Sequence, residues 1–244
     1  MKIIESELFK KFEGLHFGFS TKVGLGRRPP FHFNISKSVG DDEKIVESNR
    51  KALAEALEID PDLIIYQKQV HSDIVKYVDS PGTAGECDAM ITDKRNLFLA
   101  ATSADCPTIY IYDRDKNIIA AVHSGWRGTA KNIVDKTVTT LKKDFHCEPD
   151  DLIAYIAPSI CQESYEVGGE VVNRFEGRYV KEINGTYYLD LIGANLDMLK
   201  EQGIPEENIE VSSLCSFRES DLLHSYRREG VKSGRAFGIL GMKG

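Results

Sequence analysis

A chain of 244 residues with 41% hydrophobic content can bury a sizeable core, and its length fits one large domain, residues 1–244, better than two. A formal net charge of -7 argues against a protein that reads a nucleic-acid backbone, which would normally carry a basic face. No run approaches the roughly 18 apolar residues of a membrane span, residues 1–15 lack the pattern of a secretory signal, and five scattered cysteines, odd in number, fit reduced thiols in the cytoplasm.

In chain order, Asp41 or Asp42 can cap a helix that runs to about Leu57, with Val46, Leu53 and Leu57 on one face and Gly40 and Pro61 bracketing it. The stretches LIIYQKQV, IVKYV, LFLAAT, TIYIYD and IIAAVH then read as strands with short connections. Asp113 to Asn117 form a polar turn between two β-rich runs, so the last two strands read as a hairpin. After Thr129, the residues Ile133, Val134, Thr137, Val138, Leu141 and Phe145 recur at helical spacing. Further strands (LIAYIA, TYYLDL, NIEVS, RAFGIL) alternate with helical stretches at about 193–202 and 219–229. The class is α+β: mixed β-sheets with antiparallel hairpins packed against helices.

Three soft ligands fall at strand ends. His71 closes YQKQVH, Cys106 sits in SADCPT between two strands, and His123 closes IIAAVH. Their separations of 35 and 17 residues are far from the tight spacing of a zinc finger. A catalytic zinc, in contrast, takes three protein ligands from separate strands and leaves a position open. The plainer alternative is two hydrogen-bonded histidines and a cysteine packed as a small hydrophobe. Just after His123, a glycine-containing turn enters a helix with Ser124, Arg127 and Thr129 nearby, which makes an anion pocket. Its plainer alternative is a helix start capped by Thr129, with Trp126 as a core plug. A second basic run, HSYRREGVKSGR, carries Arg227, Arg228 and Arg235 and reads as a solvated helix end.

The motifs QVHS, DAMIT, SADCPTIYIYD, AAVHSGWRGT, APSICQESYEVGGEV and SYRREGVKSGR, in that order and spanning nearly the whole chain, resemble the YfiH-type proteins. That family is also labelled polyphenol oxidase, laccase-domain protein or peptidoglycan editing factor. The resemblance implies an α+β fold and a zinc held by His71, Cys106 and His123 beside a pocket. It also implies phosphorolysis of adenosine, inosine, guanosine and methylthioadenosine, with adenosine deamination, so that the partners are purine nucleosides and phosphate. Arg127 is then expected to serve the phosphate, and Asn34 and Arg50, from motifs of the N-terminal half, become pocket candidates; their plainer alternatives are a turn residue and a surface helix charge. Two departures bear on substrate preference: Lys22 and GLGRRPP stand where the family usually shows arginine and paired glycines, and His224 stands where an aromatic residue is usual.

The laccase label can be tested by counting. Six histidines are too few for a multicopper oxidase, although Cu(II) can occupy a three-ligand site in vitro because it outcompetes zinc on affinity. A cysteine hydrolase is the main rival enzyme class, with Cys106 as nucleophile and His123 or His71 as base, acting on peptidoglycan precursors. A non-enzymatic protein with a structural zinc is the third reading.

Overall fold

The computed structural model describes residues 1–244. The chain enters through β1 (Ile3–Ile4) and β2 (Leu15–Ser20), and Asp42 caps α1 (Glu43–Ala56) by accepting the amides of Lys44 and Ile45. Seven strands follow: β3 (Ile64–Lys68), β4 (Val75–Tyr77), β5 (Gly82–Glu86), β6 (Ala89–Thr92), β7 (Phe98–Ser103), β8 (Thr108–Asp113) and β9 (Ile118–His123). A short helix, α2 (Trp126–Thr129), leads into α3 (Ile133–Asp144) and β10 (Leu152–Ile156). Next come β11 (Glu166–Val167), α4 (Gly169–Val172), β12 (Val180–Ile183), β13 (Thr186–Leu189) and α5 (Leu191–Glu201). The chain ends with β14 (Ile209–Val211), α6 (Tyr226–Glu229) and β15 (Ala236–Met242).

Two six-stranded sheets run β1-β2-β15-β7-β3-β5 and β14-β10-β8-β9-β6-β4, and a small third sheet runs β11-β13-β12. Both large sheets are mixed. In the first, β15 is antiparallel to β2 and β7, whereas β3 is parallel to β7 and β5. In the second, the expected β8–β9 hairpin forms, with Tyr112 opposite Ile119.

Period-two alternation explains the layering. Tyr110 and Tyr112 of β8 and Ile119 and Ala121 of β9 meet Phe17, Leu99 and Leu240 of the first sheet. Ile109, Ile111, Ala120 and Val122 point the opposite way, onto Val134, Val138 and Leu141 of α3 and Leu199 of α5. On the other flank, Phe98, Phe237 and Ile239 pack against Leu53 and Ala54 of α1. The order of layers is therefore helix, sheet, sheet, helix. Between the sheets, the ring of Phe17 lies 4.8 Å from Tyr110 and 5.1 Å from Tyr155. A core aromatic of this kind is worth about 3–5 kcal/mol against alanine. The Tyr110 hydroxyl donates across the layer to the carbonyl of Ala101 at 3.4 Å, and a Cβ on Gly238 would collide with it. Only glycine lets β15 pass so close.

Several expected elements differ in extent. The first strand of the LIIYQKQV run ends at Lys68, because the β3–β5 register shifts between Tyr66 and Lys68 and the chain leaves the sheet before His71. Thr129 caps nothing: Gly125 stands at the N-cap of α2, and the Thr129 hydroxyl is buried against the carbonyls of Ser124 and Gly125. The helix expected at 219–229 is only α6, capped by Ser225. Arg228 explains the shortfall and is no solvated helix end. Its guanidinium donates to the carbonyls of Ser216, Phe217 and Leu223 at 2.6–2.7 Å, which holds the preceding segment in turns. Strands β2, β5 and β6 fall outside the runs singled out as strands. No helix is long and apolar enough to cross a membrane.

One topological feature matters for function. Three successive links pass from the first sheet to the second: β3 to β4, β5 to β6 and β7 to β8. They carry His71, Asp88 and Cys106 respectively, so three distant sequence segments meet at one end of the sandwich.

His224 is a polar residue inside the core, only 2% exposed. Its Nε2 donates to the carbonyl of Phe33 at 3.3 Å, and its Nδ1 has no partner. Burial pushes its pKa down to about 4. An unfolded histidine takes a proton near pH 6.5, so stability is fully present above that pH and is lost as the pH falls from there to the folded pKa. The loss amounts to about 3 kcal/mol at most. We predict that His224→Phe flattens the fall in thermal unfolding temperature between pH 6.5 and 4. Parallel pH curves for the variant and the parent protein would refute the assignment.

Candidate metal centre and its cleft

The centre is built around Asp88, which is fully buried at 0% exposure. One carboxylate accepts the amides of Val70, His71 and Ser72 at 3.2, 3.1 and 2.6 Å, the Ser72 hydroxyl at 2.7 Å and Nδ1 of His123 at 2.8 Å. These bonds hold His71 in a left-handed conformation, φ 56°, which a side chain rarely adopts unaided. They also fix the ring of His123 with Nδ1 toward Asp88, so that Nε2 is left for a ligand. His123 continues the face of β9 set by Ile119 and Ala121, so it emerges at the end of the layer between the sheets.

His71, Cys106 and His123 come together as expected: one ligand atom from each lies within 4.8 Å of the others. The two imidazole rings are 4.9 Å apart and nearly perpendicular. Burial opposes ionisation of the Cys106 thiol, but the imidazoles of His123 and His71 outweigh it and bring the pKa down to about 6. Burial likewise opposes charge on His123, yet Asp88 and Cys106 raise it to about 9. Asp88 is held at about 2 against burial by His123 and Ser72. Two imidazoles and an ionisable thiol suit a metal bonded at about 2.0–2.3 Å, and three protein donors leave one position of a tetrahedron free. Gly125 makes room for this packing, since a Cβ there would sit 2.9 Å from the His71 ring and 3.0 Å from the Cys106 sulfur.

The group opens on a cleft of about 680 Å3, within the usual range of small-molecule sites. Its floor is one face of β7, on which Ala100 and Thr102 alternate toward Ala104 and Cys106, flanked by Phe237 of β15 and Tyr66 of β3. Arg50 lines it as expected, donating from Nε to the carbonyl of Ile35 at 2.8 Å, with its guanidinium 4.3 Å from the Tyr66 ring and 5.2 Å from that of Phe237.

Other expected residues lie elsewhere. Asn34 is buried beneath the cleft, donating to Ser36 O and Asp41 and accepting the amides of Ser36 and Arg235. It is absent from the cleft lining and braces the neighbouring wall through these bonds. Ser124 is likewise buried, its hydroxyl committed to Thr129 and Asn195. Arg127 is exposed, its guanidinium stacked 4.3 Å over Trp126, and it is absent from the cleft lining. Trp126 itself packs, partly buried, on the small cluster of Val171, Tyr179, Leu189, Leu191 and Ala194.

Asp88 and Arg235 are the residues that sequence reasoning passed over. Asp88 stands in the quoted DAMIT motif, but nothing in its spacing links it to His123, 35 positions away. Arg235 was grouped with a surface run, whereas its side chain reaches the cleft over Tyr226 at 5.4 Å.

Residues 16–243 match the family model described as multi-copper polyphenol oxidoreductase laccase. A purine nucleoside phosphorylase of Clostridium acetobutylicum is 37% identical over 72% of this chain and 75% of its own. An adenosine deaminase from an unidentified prokaryote is 33% identical, covering 93% of this chain and 94% of its own. The crystal structure of YlmD from Geobacillus stearothermophilus superposes with a TM-score of 0.92 at 30% identity, over 98% of this chain and 94% of that one. That of YfiH from Bacillus licheniformis gives 0.90 at 33% identity, over 94% and 93%. The chain therefore belongs to the laccase-like YfiH family, with which it shares its fold and nearly its whole length.

Proposed function

We propose that the chain is a zinc-dependent purine nucleoside enzyme. It cleaves adenosine, inosine, guanosine and methylthioadenosine with phosphate, giving the free base and the sugar 1-phosphate, and it hydrolyses adenosine to inosine and ammonia. The observation that carries this reading is the convergence of His71, Cys106 and His123 at one end of a cleft, oriented by Asp88. The relatives named as phosphorylases and as an adenosine deaminase supply the reaction classes.

In this reading His71, Cys106 and His123 hold the metal, which when bound supplies Lewis acidity and activates water near neutral pH. Asp88 keeps His123 in the ligating tautomer and resists protonation itself. Tyr66 and Phe237, beside Arg50, offer aromatic and apolar surface to a nucleoside. In phosphorolysis a phosphate oxygen attacks C1′ while the C1′–N9 pair leaves on the purine. The proton that the phosphate carried ends on the base, so atoms and charge balance.

A second reading keeps one specific observation in its favour. A thiol with pKa about 6 beside His123, which leans on Asp88, has the order of a thiol, imidazole and carboxylate relay. Under it, the Cys106 thiolate attacks an amide carbonyl of a peptidoglycan precursor, the C–N bond breaks as the amine takes a proton from His123, and water then hydrolyses the thioester.

Two experiments follow. Purified protein should carry about one zinc per chain, and His71→Ala, Cys106→Ala and His123→Ala should each lose it by elemental analysis; full retention in any one removes that residue from the centre. Asp88→Asn keeps all three donors and should weaken zinc affinity by about 10–100-fold in chelator competition, whereas an unchanged affinity would show that orientation of His123 contributes nothing.

The second experiment separates ligand from nucleophile. Iodoacetamide should alkylate Cys106 slowly in the zinc-loaded protein and faster after chelation, with nucleoside activity lost on chelation and restored by zinc added before the reagent. A metal-free protein that stays active, labels quickly at Cys106 and traps a covalent adduct visible by mass spectrometry would establish the hydrolase instead.

A further inference from the structure

The charge lining the cleft is one-sided. The chain has a net charge of -7, yet the cleft is lined by Lys37, Arg50, Lys68 and Arg235 and by no carboxylate. The two lysines are already neutralised, Lys37 by Glu47 and Lys68 by Glu86, each at 2.8 Å. The two arginines are not. Arg50 donates only from Nε, to a carbonyl, and Arg235 donates from Nη1 to the carbonyls of Ser233 and Gly234. Neither has a carboxylate within ion-pair distance, and both are half-buried. A partly desolvated cation with no carboxylate in direct contact is unfavourable by itself and becomes favourable once an anion reaches it.

Their positions along the floor are ordered. Phe237 lies opposite Thr102, and Tyr66 opposite Ala100, while Arg235 precedes Phe237 at the end of β15 nearer Cys106. Arg50 lies over Phe237 and Tyr66. With about 3.3 Å per strand residue, the two guanidiniums follow the His71, Cys106 and His123 group in sequence down one groove. Purine C6 and N9 are on opposite edges of the ring system. A nucleoside with C6 toward the metal group therefore directs its glycosidic bond down the groove toward the arginines. The attacking oxyanion must lie on that side of C1′.

We infer that Arg50 and Arg235 form the binding site for inorganic phosphate, the attacking co-substrate, and that Arg127, exposed and stacked on Trp126, does not. This rests on the phosphorolysis reading for its role in catalysis, but anion binding itself can be measured without turnover. Planar guanidinium groups match a phosphate with paired, charge-assisted hydrogen bonds, which lysine cannot reproduce. Stacking on Tyr66 and Phe237 fixes the plane of Arg50 in advance.

The test is calorimetric titration of inorganic phosphate into the zinc-loaded full chain. The panel is the parent protein with Arg50→Gln, Arg50→Lys, Arg235→Gln, Arg235→Lys and Arg127→Gln, each checked by thermal melting for an intact fold. Loss of a charged hydrogen-bond partner should weaken binding by about tenfold or more in both glutamine variants. Binding in Arg127→Gln should stay within about twofold, less than one hydrogen bond is worth. In phosphorolysis, Arg50→Lys and Arg235→Lys should raise the KM for phosphate more than the KM for inosine, a split that a merely structural role would not give. Phosphate bound by the parent protein without nucleoside cleavage would sustain the anion site while removing the phosphorolysis reading. Absence of phosphate binding by the parent protein, or loss confined to Arg127→Gln, overturns the inference.

Discussion

The buried carboxylate of Asp88 is the interaction on which the site depends. A fully desolvated charge is costly unless it is saturated with donors, and Asp88 is saturated by three amides, a hydroxyl and an imidazole. These donors come from the β3–β4 link and from the end of β9, while Asp88 itself belongs to the β5–β6 link. One side chain thus ties two sheet-to-sheet crossings to the strand that carries His123. The same bonds hold His71 in its left-handed backbone conformation and orient the ring of His123. Stability and site geometry are here one set of contacts, so neither can be altered alone.

The layered fold explains why the cleft lies where it does. Sheet packing fills the space between the two sheets with Phe17, Tyr110 and Tyr155, leaving no room for a ligand there. The crossings must turn at the end of that layer, and they bring His71 and Cys106 to its rim. On the outer face of the first sheet, α1 covers Phe98, Ala100 and Ile239, but beyond its coverage Thr102 and Tyr66 stay partly exposed. A groove from the metal group along β7 is the result. It has the three soft donors at one end, with Arg235 and then Arg50, over Tyr66 and Phe237, following along it.

Much of this was legible in the sequence, and the gaps have physical causes. Helices α1 and α3 carried local signals, a capping Asp42 and an apolar period, and both formed within a residue or a few of the expected bounds. His71, Cys106 and His123 were legible because reactive residues at strand ends are conspicuous and their motifs are specific. Asp88 was not, because its role arises from a pairing with His123 that only the sheet-to-sheet topology creates. GTAGE gave no strand signal since it holds two glycines and a single β-branched residue; β5 exists through pairing with β3. Arg228 and Arg235 share one basic run but have opposite environments, one spent on backbone carbonyls and the other facing the cleft. Charge patterning cannot distinguish these. Ser124 was misplaced by adjacency: next to a ligand in sequence, its side chain turns the other way, to Asn195 of α5.

Cys106 is where two chemistries compete. Its depressed pKa and its proximity to His123 suit either a metal ligand or a nucleophile, and Asp88 would support both by the same hydrogen bond. The second histidine breaks the symmetry. A thiol nucleophile needs one base with one orienting carboxylate, and His71 would then be surplus, yet the chain holds His71 in an unfavourable backbone conformation secured by bonds to buried Asp88. Metal coordination uses every donor the fold has assembled, and it also accounts for Gly125, whose missing side chain lets His71 and Cys106 crowd against one turn. The family description as a multi-copper laccase demands more, and the four remaining histidines, His16, His32, His146 and His224, stand outside the group. A mononuclear centre is what this donor set can build.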